Sequence, residues 1–401
     1  MPAEKSALRD VALACFAVLA STTAMAQQSA PFKDFEQFFQ AAAVEDKIPG
    51  AAYAIVNHSG ILQTGSYGYA LSGQRQPVDE NTVFRVASVS KTFASTLAAL
   101  LVAEGKLSWS EPVTRYAPSF RINGQTQNIH LEHVLGQSTG LPAYAYDNFI
   151  EEGFDLPDIL KKFSDLKPIC RPGQCYTYQN SAFSLIQPAL ENATRHRYDE
   201  LMESRIFQPL MMEHASVGYD NFLAEEQHAQ PHVRRRGRWT GVEVQPNYYR
   251  VAPAAGINAS VDDLAKWLMA HLGARPDVLP QTVLDDVTRP RVRTKRDLKR
   301  KHWRDHISDA HYALGWRVYQ FGDAELIYHG GWVAGFRTDI AYSKEHDIGI
   351  AIVMNAEGGT VTELSTFFWE DFFKNQQQVT QIDLTQPTRS GSTNTSTKAA
   401  R

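Results

Sequence analysis

Three short stretches of this chain carry side chains whose types and spacing could perform acyl transfer. The first is Ser88-Val89-Ser90-Lys91, followed by an apolar run, Thr92 to Val102, that reads as a buried helix. Residues three apart share a helix face, so a hydroxyl and an amine would point into the same space. If Ser88 opens the helix, free backbone N–H groups and the positive dipole end lie beside it. That layout suits a serine that becomes acylated. The hydroxyl attacks, the amine takes its proton, and a backbone N–H steadies the oxyanion. The amine serves as base only where burial and positive neighbours lower its pKa. Ser-x-x-Lys also arises by chance, and a helix cap followed by a surface lysine is its ordinary meaning.

The second stretch, Tyr178-Gln179-Asn180, opens another helical run, Ser181 to Ala189. A tyrosine hydroxyl near Ser88 could pass protons to a leaving group, and an asparagine amide could orient a carbonyl and hold Lys91. The third, His329-Gly330-Gly331, reads as a strand end whose glycines let a ligand approach the backbone. A rival nucleophile exists at Gly136-Gln137-Ser138-Thr139-Gly140, a Gly-x-Ser-x-Gly pattern. That pattern needs a strand before it and a helix after it. Here Ile129 to Leu135 reads as helix and Leu141-Pro142 stops one, so Ser138 reads as a structural turn. His130, Glu132 and His133 lack zinc-protease spacing and read as ordinary helix residues.

The elements that must position these groups follow a simple order. Gln27 to Pro49 reads as an amphipathic helix with Phe35, Phe38 and Phe39 on one side. Gly50 to Val56 and Ile61 to Tyr69 read as a hairpin joined at Asn57-His58-Ser59-Gly60. Helical segments fill the middle. Strand signals return at Glu325 to His329, Thr338 to Tyr342 and Ile348 to Met354, and a helix, Thr362 to Lys374, closes the pattern. The fold class is therefore α+β. One antiparallel sheet is built from both termini and flanked by helices, with a mainly helical insertion. A site at the junction of sheet and insertion fits the preference of pockets for such boundaries.

The chain has 401 residues, 43% hydrophobic and 21% charged, with a net charge of −4, a globular composition with ample core. No global field points to nucleic acid or anionic membranes. Lys5 and Arg9, the apolar run Val11 to Ala20, and Ala24-Met25-Ala26 read as a secretory signal peptide, residues 1–26, too short to span a membrane. Cys15 sits in a loose lipoprotein-like box lacking the usual leucine, since Ala12 stands three places before it. The expected location is periplasmic or secreted. Cys170 and Cys175 remain; in an oxidising compartment they can close a small loop around Pro172-Gly173, two free thiols being the other reading. Residues 27–379 read as the folded domain, and 380–401, rich in Ser, Thr and Gln, as a disordered tail. The basic run Arg289 to Arg304 and Arg234-Arg235-Arg236 read as solvated loops, contact with an anionic polymer being the rival for the first.

Taken in order, the three stretches resemble the penicillin-recognising serine hydrolases: class C β-lactamases, D-Ala-D-Ala peptidases, D-aminopeptidases and β-lactamase-like esterases. Those families share Ser-x-x-Lys, Tyr-x-Asn and Lys/His-x-Gly, matched here by Ser88-x-x-Lys91, Tyr178-x-Asn180 and His329-x-Gly331. Phe84 to Phe93, Glu104-Gly105-Lys106-Leu107, Ser138-Thr139-Gly140-Leu141-Pro142, Ala255-Gly256-Ile257, Leu314-Gly315-Trp316 and Gly331 to Phe336 extend the likeness across roughly Asp34 to Phe373. The resemblance implies Ser88 as nucleophile, Lys91 as base and Tyr178 as acid/base toward the leaving group. It implies substrate binding by Asn180, His329, Gly331 and Trp332. The oxyanion hole would be the backbone N–H groups of Ser88 and Trp332, and His329 would line the anionic side of the pocket. No cofactor or metal is implied.

Two departures bear on substrate. His329 stands where many β-lactamases have lysine, so attraction for a carboxylate should be weaker and pH-dependent; Arg337 could replace the charge or be a surface arginine. Gln137 stands where relatives commonly have histidine. The expected substrate is a small molecule or short peptide. It would be a D-amino-acid peptide, cell-wall D-Ala-D-Ala or a related D-peptide, or a β-lactam mimicking it. A short-chain ester is the alternative, as is a penicillin-binding sensor that is acylated without turnover.

Overall fold

Gly50–Asn57 and Ile348–Met354 are continuous apolar runs because helices cover both faces of the sheet they centre. The computed structural model describes residues 32–71, 76–124 and 126–385, without the side chains of 377–385. The expected signal peptide and residues 386–401 lie outside the described residues. Among the described residues an eight-stranded sheet runs in the order Gly60–Gly68, Gly50–Asn57, Ile348–Met354, Phe336–Ser343, Ala324–Val333, Arg317–Phe321, Ile307–Tyr312, Val292–Arg293. Every pairing in it is antiparallel. The two N-terminal strands thus join six from the C-terminal half, and the residues between form the mainly helical insertion.

One face of the sheet carries the terminal helices. Phe35 and Phe39 of Lys33–Glu45 are buried 4.9 and 4.8 Å from the Tyr53 ring, and Phe38 stacks on Phe367 at 3.9 Å. The last helix, Thr360–Thr385, is longer than the expected Thr362 to Lys374 and takes in the start of the segment read as a disordered tail. Its phenylalanines dock the first turns, after which extending a helix through Asn375 and the glutamines costs little. On the other face lies Val261–His271, opened by a Ser260–Asp263 capping box. Trp267 of that helix stacks on Phe93 at 4.0 Å, tying the sheet to the buried helix Ser90–Ala103.

The strands Ile307–Tyr312 and Arg317–Phe321 were not evident from pattern, because each mixes polar with apolar residues over five or six positions. Likewise His329-Gly330-Gly331 does not end a strand; Ala324–Val333 runs through it, with Gly331 paired to Thr338.

Candidate active site

Ser88 lies in a 3-10 turn, Ala87–Val89, and the α-helix begins only at Ser90. The residue before it, Ala87, has a φ of +50°, in the left-handed region that side-chain-bearing residues adopt at a cost. Neighbours hold this turn on both sides. Val86 N–H donates to the Ile257 carbonyl at 3.2 Å, and Ile257 N–H donates to Ser90 Oγ at 3.0 Å. Gly315 is required here: at φ +73° a Cβ would fall 2.4 Å from both the Lys91 carbonyl and Ser95 Oγ. Ala255-Gly256-Ile257 and Leu314-Gly315-Trp316 therefore brace the Ser88–Lys91 segment.

Lys91 is fully buried, its Nζ 3.3 Å from Ser88 Oγ. Nζ donates to Asn180 Oδ1 at 2.7 Å and to the Ala254 carbonyl at 2.9 Å. Burial drives the Lys91 pKa well below the ordinary lysine value; Asp147 opposes this and Arg317 adds to it. A neutral amine has two N–H bonds and one lone pair. When Lys91 is deprotonated, Asn180 and Ala254 can take its two hydrogens, which leaves the lone pair for Ser88. The Tyr178 ring packs 4.7 Å from Nζ and its hydroxyl bonds with Ser88. Burial raises the Tyr178 pKa well above normal, which keeps a phenol able to donate.

Gly331 brings the third stretch to the same place. A Cβ there would lie 2.2 Å from the Val86 carbonyl, so only glycine lets this strand approach the Ser88 turn. Trp332, next in the strand, is 61% exposed and lines the cleft. His329 does not line it, contrary to expectation. Its ring is buried, with Nε2 3.1 Å from the Tyr312 hydroxyl and Nδ1 3.0 Å from the Gly330 carbonyl. Burial, with Arg317 and Lys91 nearby, pushes its pKa well below the usual histidine value. A neutral His329 supplies no charge, so the expected pH-dependent attraction through it is withdrawn. Affinity for a carboxylate-bearing ligand should show no inflection from His329 between about pH 5.5 and 8. Comparing wild type with His329→Gln across that range checks this; a step in wild type alone would contradict it.

Three more residues complete the site; pattern reading missed Asp147 and Arg317 and noted Gln137 without a role. Asp147 Oδ2 accepts from Asn180 Nδ2 at 2.8 Å, so the order Asp147–Asn180–Lys91 is one buried chain. Gln137 holds the Tyr178–Asn180 backbone: its Oε1 accepts from Gln179 N–H at 2.6 Å and its Nε2 donates to the Gln179 carbonyl at 3.0 Å. This accounts for a glutamine at that position. Arg317 is buried among the rings of Tyr176, Tyr178 and Tyr312 and pairs with Asp297. Asp147→Asn is expected to lower acylation by roughly 10- to 100-fold, the range for a charged hydrogen bond. It should also move the acid limb of the pH profile downward, because the lost carboxylate favoured the lysine ammonium. An unshifted limb would leave Asp147 a packing role only.

The cleft joining these groups has a volume of about 930 Å³. Ser88, Tyr178, Asn180, Gly331 and Trp332 line it beside Tyr144, Tyr176 and Tyr248. The basic run is not simply a solvated loop: Arg293, Lys295, Arg296 and Arg300 form part of the wall. It is anchored by Trp303, fully buried 4.8 Å from the Tyr328 ring, and by Asp297 beneath Arg317. Cys170 and Cys175 are disulfide-bonded, and Cys175 borders the cleft.

Ser138 is outside this arrangement. Its backbone accepts from Gly173 N–H at 2.7 Å and donates to the His133 carbonyl at 2.9 Å, a turn rather than an elbow. Ligand atoms of His130, Glu132 and His133 do come within 4.8 Å of one another. However, His133 Nδ1 accepts from His130 N–H at 3.1 Å, which leaves the proton on Nε2, and Glu132 faces Arg291 at 3.4 Å. That is a capped helix start.

An antiparallel sheet built from both termini, a helical insertion and a Ser–Lys–Tyr–Asn cleft between them define the architecture of the penicillin-recognising serine hydrolase fold. The chain belongs to the Beta-lactamase family, whose model matches residues 35–368. It is 25% identical over 344 residues to a protein described as Beta-lactamase from Escherichia coli K12, covering 78% of this chain and 85% of that one. It is 24% identical to Protein flp of Staphylococcus aureus COL, over 79% of this chain but only 61% of that protein's length. In structure it resembles the octameric penicillin-binding protein homologue from Pyrococcus abyssi, with a TM-score of 0.76 and 21% identity over 86% of this chain and 78% of that one.

Proposed function

We propose that the chain is an exported serine hydrolase that forms an acyl-enzyme on Ser88 and cleaves the amide of a D-amino-acid peptide. β-Lactams would enter as mimics of that amide. The observation that carries the reading is the buried Lys91, whose two hydrogens are taken by Asn180 and Ala254 while Ser88 Oγ lies at 3.3 Å. Ser88 Oγ attacks the carbonyl carbon and its proton passes to Lys91 Nζ. The backbone N–H groups of Ser88 and Trp332 receive the oxyanion. As the C–N bond breaks, Tyr178 gives its hydroxyl proton to the departing nitrogen and recovers one from Lys91. Water then attacks the ester, loses its proton to the same pair, and the acid is released with Ser88 restored.

A peptide is favoured by a cleft at the large end of the usual range for small-ligand sites, walled by Tyr144, Tyr176, Tyr248 and Trp332. The names of the Escherichia coli relative and the Pyrococcus abyssi structure point to penicillin chemistry. Export to the periplasm or medium is supported by the basic, apolar and small-residue order of residues 1–26 and by the Cys170–Cys175 bond. The test is intact mass against time for the protein lacking residues 1–26, mixed with a penicillin and then mapped by peptide. A lasting adduct on Ser88 means a peptidase trapped by its mimic. Penicillin consumed through a transient adduct means a β-lactamase. Neither, with esters turned over, means the esterase alternative. Modification at no serine by any acyl donor would sink the reading.

A further inference from the structure

We infer that the cleft selects substrates carrying two or more anionic groups, carboxylate or phosphate, on the sheet side of the scissile bond; this rests on the hydrolase reading above. The warrant is a divided charge along the walls. Asp147 and Glu151 come from the helical insertion. Facing them from the sheet and the loop before it are Arg293, Lys295, Arg296, Arg300, Arg317 and Arg337. Two of these are already matched, Arg293 by Asp309 at 2.8 Å and Arg317 by Asp297.

The other four have no ion-pair partner among the described residues. Lys295 and Arg296 are exposed. Arg300 is half-buried, bonded only to the neutral Tyr319 hydroxyl at 3.3 Å, with its guanidinium 5.8 Å from the Tyr328 ring centroid. Arg337 lies 5.2 Å from the Trp332 ring centroid with its Nε buried and unpartnered. Asp339 stands near both Arg300 and Arg337 and can balance one of them. Three cations are then left over in the wall of the cleft that Gly331 and Trp332 also line. Gathering like charges in a concave, half-buried wall is unfavourable unless an anion joins them. Guanidinium groups match the planar, two-oxygen edge of a carboxylate or phosphate. A single carboxylate can use only part of this wall, and neutral His329 uses none of it, so the surplus calls for a second anionic group.

The test is calorimetric binding to Ser88→Ala protein at low and physiological salt. The probes are D-Ala-D-Ala, D-Ala-D-Glu, D-Ala-D-phosphoserine and citrate. Both dipeptides with a second anionic group should bind at least ~10-fold more tightly than D-Ala-D-Ala, the scale of one added charge-assisted contact. The advantage should shrink with salt and fall to about twofold or less in Arg300→Gln, and in Lys295→Gln/Arg296→Gln, whose exposed positions leave folding untouched. If only the glutamate or only the phosphoserine peptide gains, the source of the anion is identified and the inference stands. Equal affinities across the dipeptides, or an advantage that survives both variants, would overturn it. Citrate separates this from the hydrolase reading. Citrate binding that weakens in the arginine variants, beside a chain that is never acylated, would mean that only the hydrolase reading has failed.

Discussion

Ser88→Ala is expected to abolish turnover of whatever acyl substrate the protein accepts, by at least ~10⁴-fold, the scale seen when a catalytic nucleophile is removed. Ser138→Ala should leave turnover within a few-fold of wild type. The physical difference is visible in the surroundings. Ser88 sits on a strained turn in the cleft, with a buried amine and a tyrosine hydroxyl at hand. Ser138 is occupied through its backbone, which alanine keeps, and it does not line the cleft that Tyr178 and Asn180 line. Turnover rates on a reactive ester, with peptide mapping of a trapped acyl group, decide between them. Loss of activity in Ser138→Ala alone would move the chemistry to the Gly-x-Ser-x-Gly turn.

Lys91→Ala should slow acylation of Ser88 by at least ~100-fold, the low end for losing a general base. The pH profile carries a sharper statement. A general base works only when deprotonated, and burial has lowered the Lys91 pKa well below that of a free lysine. Acylation by wild type should therefore fall as the pH drops through that lowered value, at a pH below the ordinary lysine range. The limb should vanish in Lys91→Ala, where no base titrates. Single-turnover acylation measured from about pH 5 to 9 reads both effects. A limb that survives the substitution would assign the proton to another group, and near-normal acylation would remove Lys91 as base.

Much of the site could be read from the chain because its groups are close in sequence or marked by glycine. Ser88 and Lys91 are three residues apart, and Tyr178 and Asn180 two. Gly331 announces a close approach that the Val86 carbonyl makes. The sheet could be read where helices cover both faces and the strands became unbroken apolar runs, as in Ile348–Met354. It could not be read in Ile307–Tyr312 or Arg317–Phe321, whose mixed composition gives no period to follow. The charged loop was misread for a related reason: Lys and Arg look the same in a solvated loop and in a binding wall. Trp303, buried against the Tyr328 ring, anchors it.

The chain by itself determined the candidate chemistry and the fold class, since side-chain type and local period survive without coordinates. Only the tertiary structure decided which groups are charged. Burial pushes the pKa values of His329 and Lys91 well below their usual ranges, and burial is the sum of distant neighbours that no local pattern contains. Gln137 and Asp147 acquired their work in the same way, across 42 and 33 residues of separation from the partners they hold. Sequence distance does not limit such contacts once the insertion folds back onto the sheet.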